Sequence, residues 1–433
     1  SLEGFEKEYP LYDNATQGPD KTVWRESEEL PGYKYIGIFS DSMPDLNYSS
    51  EALQEDMKNV AKFWLDMGID GFRLDAARHI FGDFYSNIYN DYIAEENQSF
   101  WEDFRSDIVA EYPNAYLVGE VWEKNTDNMV PFISEGALDS TFDFNLANKI
   151  YEAVSNESTA YDPSAVDPEN QLSQDNDLNI VSDLVSFYNK FGEASNYNFI
   201  DCPFSTNHDQ NRIMSLFKYQ FDPEATDINV ANPLKDESEQ LILREDADKA
   251  MDHAKVASSL LLTMPGRPFI YYGEEVGLDG VKPDSSIREC MPWYEEPFNA
   301  DGSAKEGLAN YGETLYSVGG EASVEAQIDQ PDSLYAHYEE VIHARKRIPA
   351  LMNGDIDEYN LDSQQIISYI RMTEDQRVLV VVNLSGETLT QELVQDPNYG
   401  SFHRVLFQSS QDSISQLNDS TLTLAPYSMV VLE

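Results

Sequence analysis

The sequence predicts an α/β protein in two parts: strands alternating with helices, as in a parallel sheet or barrel, then a small all-β domain. Three observations carry this. Stretches with apolar residues at helical spacing end in Gly or Pro and lead into short apolar runs of strand type, and this order repeats. After Pro349 the helical spacing stops and short β-rich runs separated by polar turns take over. The chain has 433 residues, 41% of them hydrophobic, enough for two or three domains with a sizeable core.

Residues 1–47 read as irregular, with Gly, Pro, Asp and Tyr scattered through them. Ser49 or Ser50 can cap a helix in which Leu53, Met57, Val60, Ala61, Trp64 and Leu65 recur at helical spacing. Gly68 stops it, and 69–75 reads as a strand. A helix near 98–111 leads to a strand at 115–120, and 137–142 reads as another short strand. After a long polar insertion come a helix near 179–191 and a strand at 198–204. A helix near 248–263 ends at Pro265-Gly266 and feeds a strand at 268–272. An amphipathic helix follows at 333–347, with Leu334, Tyr338, Val341, Ile342 and Arg345 in register. The β-rich runs are 366–371, 377–384, 403–407, 421–424 and 429–432, the pattern of a sandwich. The domains are therefore expected at 1–47, 48–350 and 351–433.

Asp and Glu number 79 against 28 Lys and Arg, a formal net charge of −51. Nucleic acid and anionic membrane surfaces would be repelled almost everywhere. No run of 18 apolar residues exists to form a spanning helix. With 26 Tyr, 21 Phe and 5 Trp, the chain is too aromatic for a disordered acidic segment. A surplus this large repels itself at low salt and is screened at high salt, so a protein that works in high salt is expected. Cys202 and Cys290 allow at most one bridge and no multi-thiolate metal site. The first residues, SLEGFEKEYP, have no basic segment followed by an apolar one, so a signal peptide is expected to be absent or already removed.

In a parallel α/β barrel, function gathers at the C-terminal ends of the strands. GFRLDAARH ends its strand at Asp75, with Arg73 two residues earlier on the same face. YLVGEVW ends at Glu120, followed by Trp122, and FSTNHDQNR ends at Asn207-His208-Asp209. One strand-end carboxylate alone is commonly a helix cap or an ion-pair partner. Three of them beside an Arg and a His suit glycoside hydrolysis, where one carboxyl protonates the leaving oxygen and another acts from the opposite face of the sugar. An Arg beside the nucleophile keeps it ionised, and an apolar wall such as Trp122 would keep the acid protonated. The chain contains no HExxH, no histidine cluster and no Gly-rich phosphate loop.

These motifs, in their order and spacing, resemble the α-amylase family, glycoside hydrolase family 13. GFRLDAARH is similar to the family's nucleophile motif, GEVW to its acid/base motif and FSTNHD to its third-carboxylate motif. Met43-Pro44-Asp45-Leu46-Asn47 resembles the motif that closes the protruding second domain, so 1–47 would be a remnant of that loop-rich domain. RPFIYYGEEVGL and MPW at 291–293 resemble the last barrel strand and its loop, and the likeness runs from about residue 33. The resemblance implies a TIM-type (β/α) barrel followed by a β-sandwich. It implies Asp75 as nucleophile, Glu120 as general acid/base and Asp209 as transition-state stabiliser. Arg73 and His208 would contact substrate at the cleavage subsite, and Arg78 and His79 the sugar beyond the cleaved bond. Ala76 after the nucleophile is similar to α-1,4-acting members, where α-1,6-acting relatives tend to carry Val.

Five strands can be counted against the family's eight, and the family's first motif, an Asp followed by Asn-His, has no counterpart. The barrel is therefore expected to be incomplete, lacking strands one to three together with a residue that often binds calcium, the one cofactor the resemblance implies. An N-terminal fragment or a second copy would complete it. The activity expected is that of a retaining, salt-adapted α-amylase acting on an α-glucan polysaccharide or oligosaccharide. An α-glucosidase, a transglycosylase and a non-catalytic carbohydrate-binding remnant are the alternatives. Starch is too large to import readily, which implies an extracellular protein.

Overall fold

A computed structural model describes residues 24–27, 31–37, 39–81, 91–123, 126–159, 180–196, 198–223, 225, 227–303, 305, 316, 319–361, 363–393, 399–418 and 420–433. The chain forms two compact units, one of residues 1–142 and 189–200, the other of residues 143–188 and 201–433.

In the first unit β1 (Trp24–Glu26) and β2 (Lys34–Ile36) pair antiparallel within a stretch expected to be irregular. The helix α1 (Glu51–Asp66) follows Ser50, and Gly68, at φ +94°, leaves the helical conformation, as its sequence suggested. The helix α2 (Asp91–Glu111) starts seven residues before the expected position. Phe100, Trp101, Phe104 and Ile108 recur at helical spacing on its buried face. Lys58 and Lys62 of α1 pair with Asp103, Asp107 and Glu111 of α2 at 2.5–2.8 Å.

The strands β3 (Gly71–Leu74), β4 (Tyr116–Gly119) and β5 (Ser140–Thr141) form a parallel sheet in that order. Gly71, at φ +159°, lets β3 approach β4 closely, because a Cβ there would sit 1.9 Å from the Tyr116 carbonyl oxygen. The run at 137–142 keeps only two paired residues in β5.

In the second unit the helix α3 (Phe144–Ser155) occupies the start of what reads as a polar insertion. Asp143 caps it, accepting from the Leu146 N–H at 2.8 Å. The helices α4 (Ile180–Ala194), whose residues from 189 on belong to the first unit, α5 (Ala250–Thr263) and α6 (Leu334–Arg347) stand where their periodicity predicts. Ser333 caps α6 through its hydroxyl. The strands expected at 198–204 and 268–272 reduce to one parallel bridge, Phe204 with Phe269. Pro203 and Pro268 lack the N–H groups that would extend it. Only the alternate ladder bonds form there, Arg267 N to Asp201 O and Phe269 N to Pro203 O, both 2.8 Å.

The C-terminal part is all β. Its strands are β6 (Asp355–Glu358), β7 (Ile366–Met372), β8 (Arg377–Asn383), β9 (Leu389–Glu392), β10 (Val405–Gln408), β11 (Ile414–Asn418), β12 (Thr421–Leu424) and β13 (Met429–Leu432). One sheet runs β10-β13-β8-β7-β6 and the other β11-β12-β9, all antiparallel. Leu422 and Leu424 of one sheet share an apolar core with Ile370, Leu379, Val381, Val430 and Leu432 of the other, so the expected sandwich forms. The unanticipated strands, β6, β9 and β11, all lie at sheet edges and carry polar sequences, so apolar alternation is weak in them. Cys202 and Cys290 are both free thiols.

Candidate active site

The ends of β3 and β4 bring together six of the residues singled out in the sequence. Glu120 N–H donates to the Leu74 carbonyl at 2.9 Å and Ala77 N–H to the Glu120 carbonyl at 3.1 Å, so the two strand ends stay in register beyond the ladder. Arg73 projects between them. Its Nη1 pairs with Asp75, and its Nη2 lies 2.5 Å from Glu120 Oε1. One guanidinium thus spans both carboxylates, which differ in environment: the Asp75 side chain is 74% exposed and that of Glu120 is 11% exposed. Directly after Asp75 the backbone turns left-handed at Ala76, φ 46°. That turn aims the Ala76 N–H at Glu120 Oε2, 3.1 Å away.

Arg78 and His79 lie on the 3₁₀ turn that follows. Arg78 Nη1 donates to the Trp122 carbonyl at 3.1 Å and pairs with Glu123 at 2.8 Å. Trp122 therefore joins the site through its backbone. Burial, helped by the charge of Arg78, pushes the His79 imidazole down to about 3, so it is neutral at ordinary pH. Phe39 meets the His79 ring edge-on at 5.9 Å between centroids.

His208 and Asp209 lie in the second unit, after the bridging residue Phe204. Asp209 N–H donates to Asn207 Oδ1 at 2.8 Å, fixing a tight turn. The Asp209 carboxylate is held by His208 Nε2 at 3.1 Å and by Arg288 Nη2 at 2.6 Å. Arg288 also donates to the His208 carbonyl at 2.8 Å and pairs with Asp284 at 2.8 Å. Sequence reasoning missed Arg288 and Glu123. Glu123 sits one residue beyond a motif that was read, whereas nothing local ties Arg288 to a carboxylate 79 positions away.

Among the described residues no group of three or more His, Cys, Asp or Glu side chains could hold a metal ion. No helix of the described residues is long and apolar enough to cross a membrane.

Comparison with known proteins gives these strand ends a context. The family model for the α-amylase catalytic domain matches residues 6–234 and 238–354, and that for the C-terminal domain of the α-amylase SusG matches 366–431. The chain is 31% identical over 377 residues to Alpha-amylase 3 of Dictyoglomus thermophilum, covering 86% of this chain and 61% of that protein. It is 25% identical over 439 residues to Alpha-amylase SusG of Bacteroides thetaiotaomicron, covering 96% of this chain and 53% of that one. The chain thus spans less than two thirds of the length of these curated relatives. The crystal structure of an α-amylase from H. orenii superposes with a TM-score of 0.69 at 30% identity, covering 95% of this chain and 70% of the other. Other relatives carry the names trehalose synthase/amylase, 4-alpha-glucanotransferase and oligo-1,6-glucosidase. The parallel strands, the C-terminal sandwich and these matches make the chain a member of the α-amylase family, glycoside hydrolase family 13, with that family's TIM-barrel fold.

Proposed function

We propose that the chain carries the active site of a retaining glycoside hydrolase that cleaves α-1,4-glucosidic bonds in starch-like polymers, an α-amylase adapted to salt. The observation that best supports this is the Arg73 guanidinium spanning Asp75 and Glu120 at the ends of neighbouring parallel strands. In this reading the exposed Asp75 attacks the anomeric carbon while Glu120 passes its proton to the leaving oxygen. The carbon–oxygen bond breaks as the bond to Asp75 forms. Water then attacks the glycosyl-enzyme, its proton going to Glu120, and Asp75 leaves. Asp209 holds substrate hydroxyls and favours the oxocarbenium-like transition state. Arg73, His208, Arg78, His79 and Trp122 contact the sugars. His79, neutral by burial, hydrogen-bonds a hydroxyl without adding charge.

The test is reducing-sugar release from starch by this chain at low and at molar NaCl, with Asp75→Asn and Glu120→Gln as controls. Release that rises with salt and vanishes in both variants supports the reading. Undiminished release by Glu120→Gln would sink the assignment. A folded chain that binds starch and releases nothing would point to a carbohydrate-binding protein. The relatives named as a synthase and a glucanotransferase favour transglycosylation as the second reading. Oligosaccharides longer than a supplied maltotriose would reveal it.

The same reading makes the protein extracellular, since its polymer is too large to import. It also includes a partner that completes the barrel, a second copy or a separate segment. Support for the partner comes from α1, where Val60, Phe63, Trp64 and Met67 form an exposed apolar stripe, and from β3, an edge strand of its sheet. Light scattering would report a second copy as a doubled mass. Calcium enters only through the family resemblance, and a fall in Tm on adding EDTA would support it.

A further inference from the structure

Glu274 is a buried carboxyl in the second unit that no step of the proposed reaction uses. Its side chain is nearly fully enclosed, as is Thr206, which stands three positions before Asp209. Glu274 Oε1 accepts two hydrogen bonds from Thr206, from the backbone N–H at 3.2 Å and from the hydroxyl at 2.6 Å. The backbone around Glu274 has little room to shift. Gly273 has φ +89°, and a Cβ on it would lie 2.8 Å from Leu278 and 3.1 Å from Arg212 Nη1. From Thr206 the chain passes to Asn207, whose Oδ1 receives the Asp209 N–H at 2.8 Å. Beyond the turn, the Arg212 N–H is tied to the Gly280 carbonyl at 2.9 Å. The turn carrying Asp209 is therefore anchored on both sides, and Glu274 is the anchor at its start.

We propose that Glu274 is a positioning residue for Asp209, acting through Thr206 to set where the Asp209 carboxylate meets the sugar. This rests on the proposed role of Asp209. A carboxyl is a costly choice for an anchor, because its second oxygen, Oε2, is buried without a hydrogen bond. The two bonds to one oxygen are what the site needs, and a glutamine can supply the same acceptor.

The variants are Glu274→Gln, Glu274→Ala, Thr206→Val and Asp209→Asn, assayed for kcat and KM on starch. Glu274→Gln is expected to stay within about three-fold of wild type. Glu274→Ala is expected to lose about a hundred-fold in kcat with KM within about two-fold, the effect of a displacement near 1 Å. Thr206→Val, which loses the hydroxyl alone, falls between them. Turnover by Asp209→Asn equal to wild type would overturn the reading of Asp209 itself. An inactive Asp209→Asn beside a fully active Glu274→Ala overturns the positioning role alone. Hydrogen exchange over residues 204–212 serves where Glu274→Ala is poorly folded or wild type releases no sugar. Faster exchange there in Thr206→Val than in Glu274→Gln, with the rest of the chain unchanged, supports the proposal, and equal protection overturns it.

Discussion

Arg73 touches both candidate reacting carboxylates of the first unit, and it does so with two separate nitrogens. A lysine has a single point of charge and cannot span the pair. Arg73→Lys is therefore expected to lose at least about ten-fold in kcat/KM, or about 1.4 kcal/mol, while Tm stays close to wild type because no core packing changes. An unchanged kcat/KM on starch would remove Arg73 from the site. Glu274 makes a different prediction. Burial pushes its carboxyl up to about 8, above Arg212's opposing pull and with Glu275 and Tyr338 near it. The folded chain thus holds a proton that the unfolded chain releases above about 4.5. The stability this gives is full below that pH and is lost as pH rises towards 8. Glu274→Gln removes the effect, so its Tm should overtake that of wild type by pH 8 and the gap should shrink towards pH 5. A pH-independent difference would contradict the buried neutral carboxyl. At this scale the sequence was legible wherever chemistry is local. Arg73 and Asp75 share a face because strand side chains alternate, and Ala76 to His79 follow in one turn. The pairs Asp209–Arg288 and Thr206–Glu274 are 79 and 68 positions apart, and no spacing rule reaches that far.

Among elements, helices were legible because an amphipathic stripe over three or four turns repeats one signal many times. α5 and α6 stand where periodicity put them, whereas α3, although Phe144, Ala147, Ile150, Tyr151 and Val154 give it the same buried stripe, was read together with the polar residues that follow it. Edge strands such as β6, with sequence DIDE, repeat nothing. Elements also meet through polar contacts that no pattern announces. Arg345 of α6 donates to the carbonyls of Leu262, Met264 and Gly266 at the end of α5, and Arg371 of β7 donates to Thr263 and Gly354. Both guanidiniums thereby satisfy carbonyls that a helix end leaves open. A second junction centres on Glu157, which accepts from Lys249 at 2.6 Å, from the Tyr427 hydroxyl at 2.6 Å and meets His253 of α5 at 3.3 Å. It connects the chain after α3, helix α5 and the turn between β12 and β13. Burial works to raise the Glu157 carboxyl, but its three partners outweigh it and hold it below the usual range. Burial also lowers His253, against the pull of Glu157. Both shifts are downward, so both contributions are present above the unfolded values near 4.5 and 6.5 and are lost as pH falls. Glu157→Gln is expected to cost about 1–2 kcal/mol at pH 7 and less at pH 4. Equal costs at the two pH values, measured by urea unfolding, would show that the junction is not electrostatic.

Over the whole molecule the dominant fact is the formal charge of −51 on 433 residues. The change of sequence pattern near residue 350 separates helix-bearing sequence from the strands of the β-sandwich. Charge acts on a different scale from packing. Ion pairs such as Lys58–Asp103 and Lys62–Glu111 use part of the small cationic complement, and the 79 Asp and Glu far outnumber the 28 Lys and Arg. Their mutual repulsion raises the free energy of the compact state more than that of the expanded one. At about 0.01 M salt the screening length is roughly 30 Å, a distance that takes in much of a domain, and at 1 M it is roughly 3 Å. Tm should therefore climb steeply between about 0.01 and 0.5 M NaCl and flatten above, once neighbours beyond one screening length no longer interact. An effect on water alone would instead continue to grow with concentration and would be copied by a neutral excluded solute such as sucrose. Thermal unfolding in NaCl, in KCl and in sucrose separates the two. A rise with either salt that saturates, and that sucrose does not reproduce, means that self-repulsion limits this fold at low salt. A Tm that is flat or falling below 0.5 M NaCl means that the acidic residues are too far apart to matter, and the salt adaptation proposed for the enzyme would go with it.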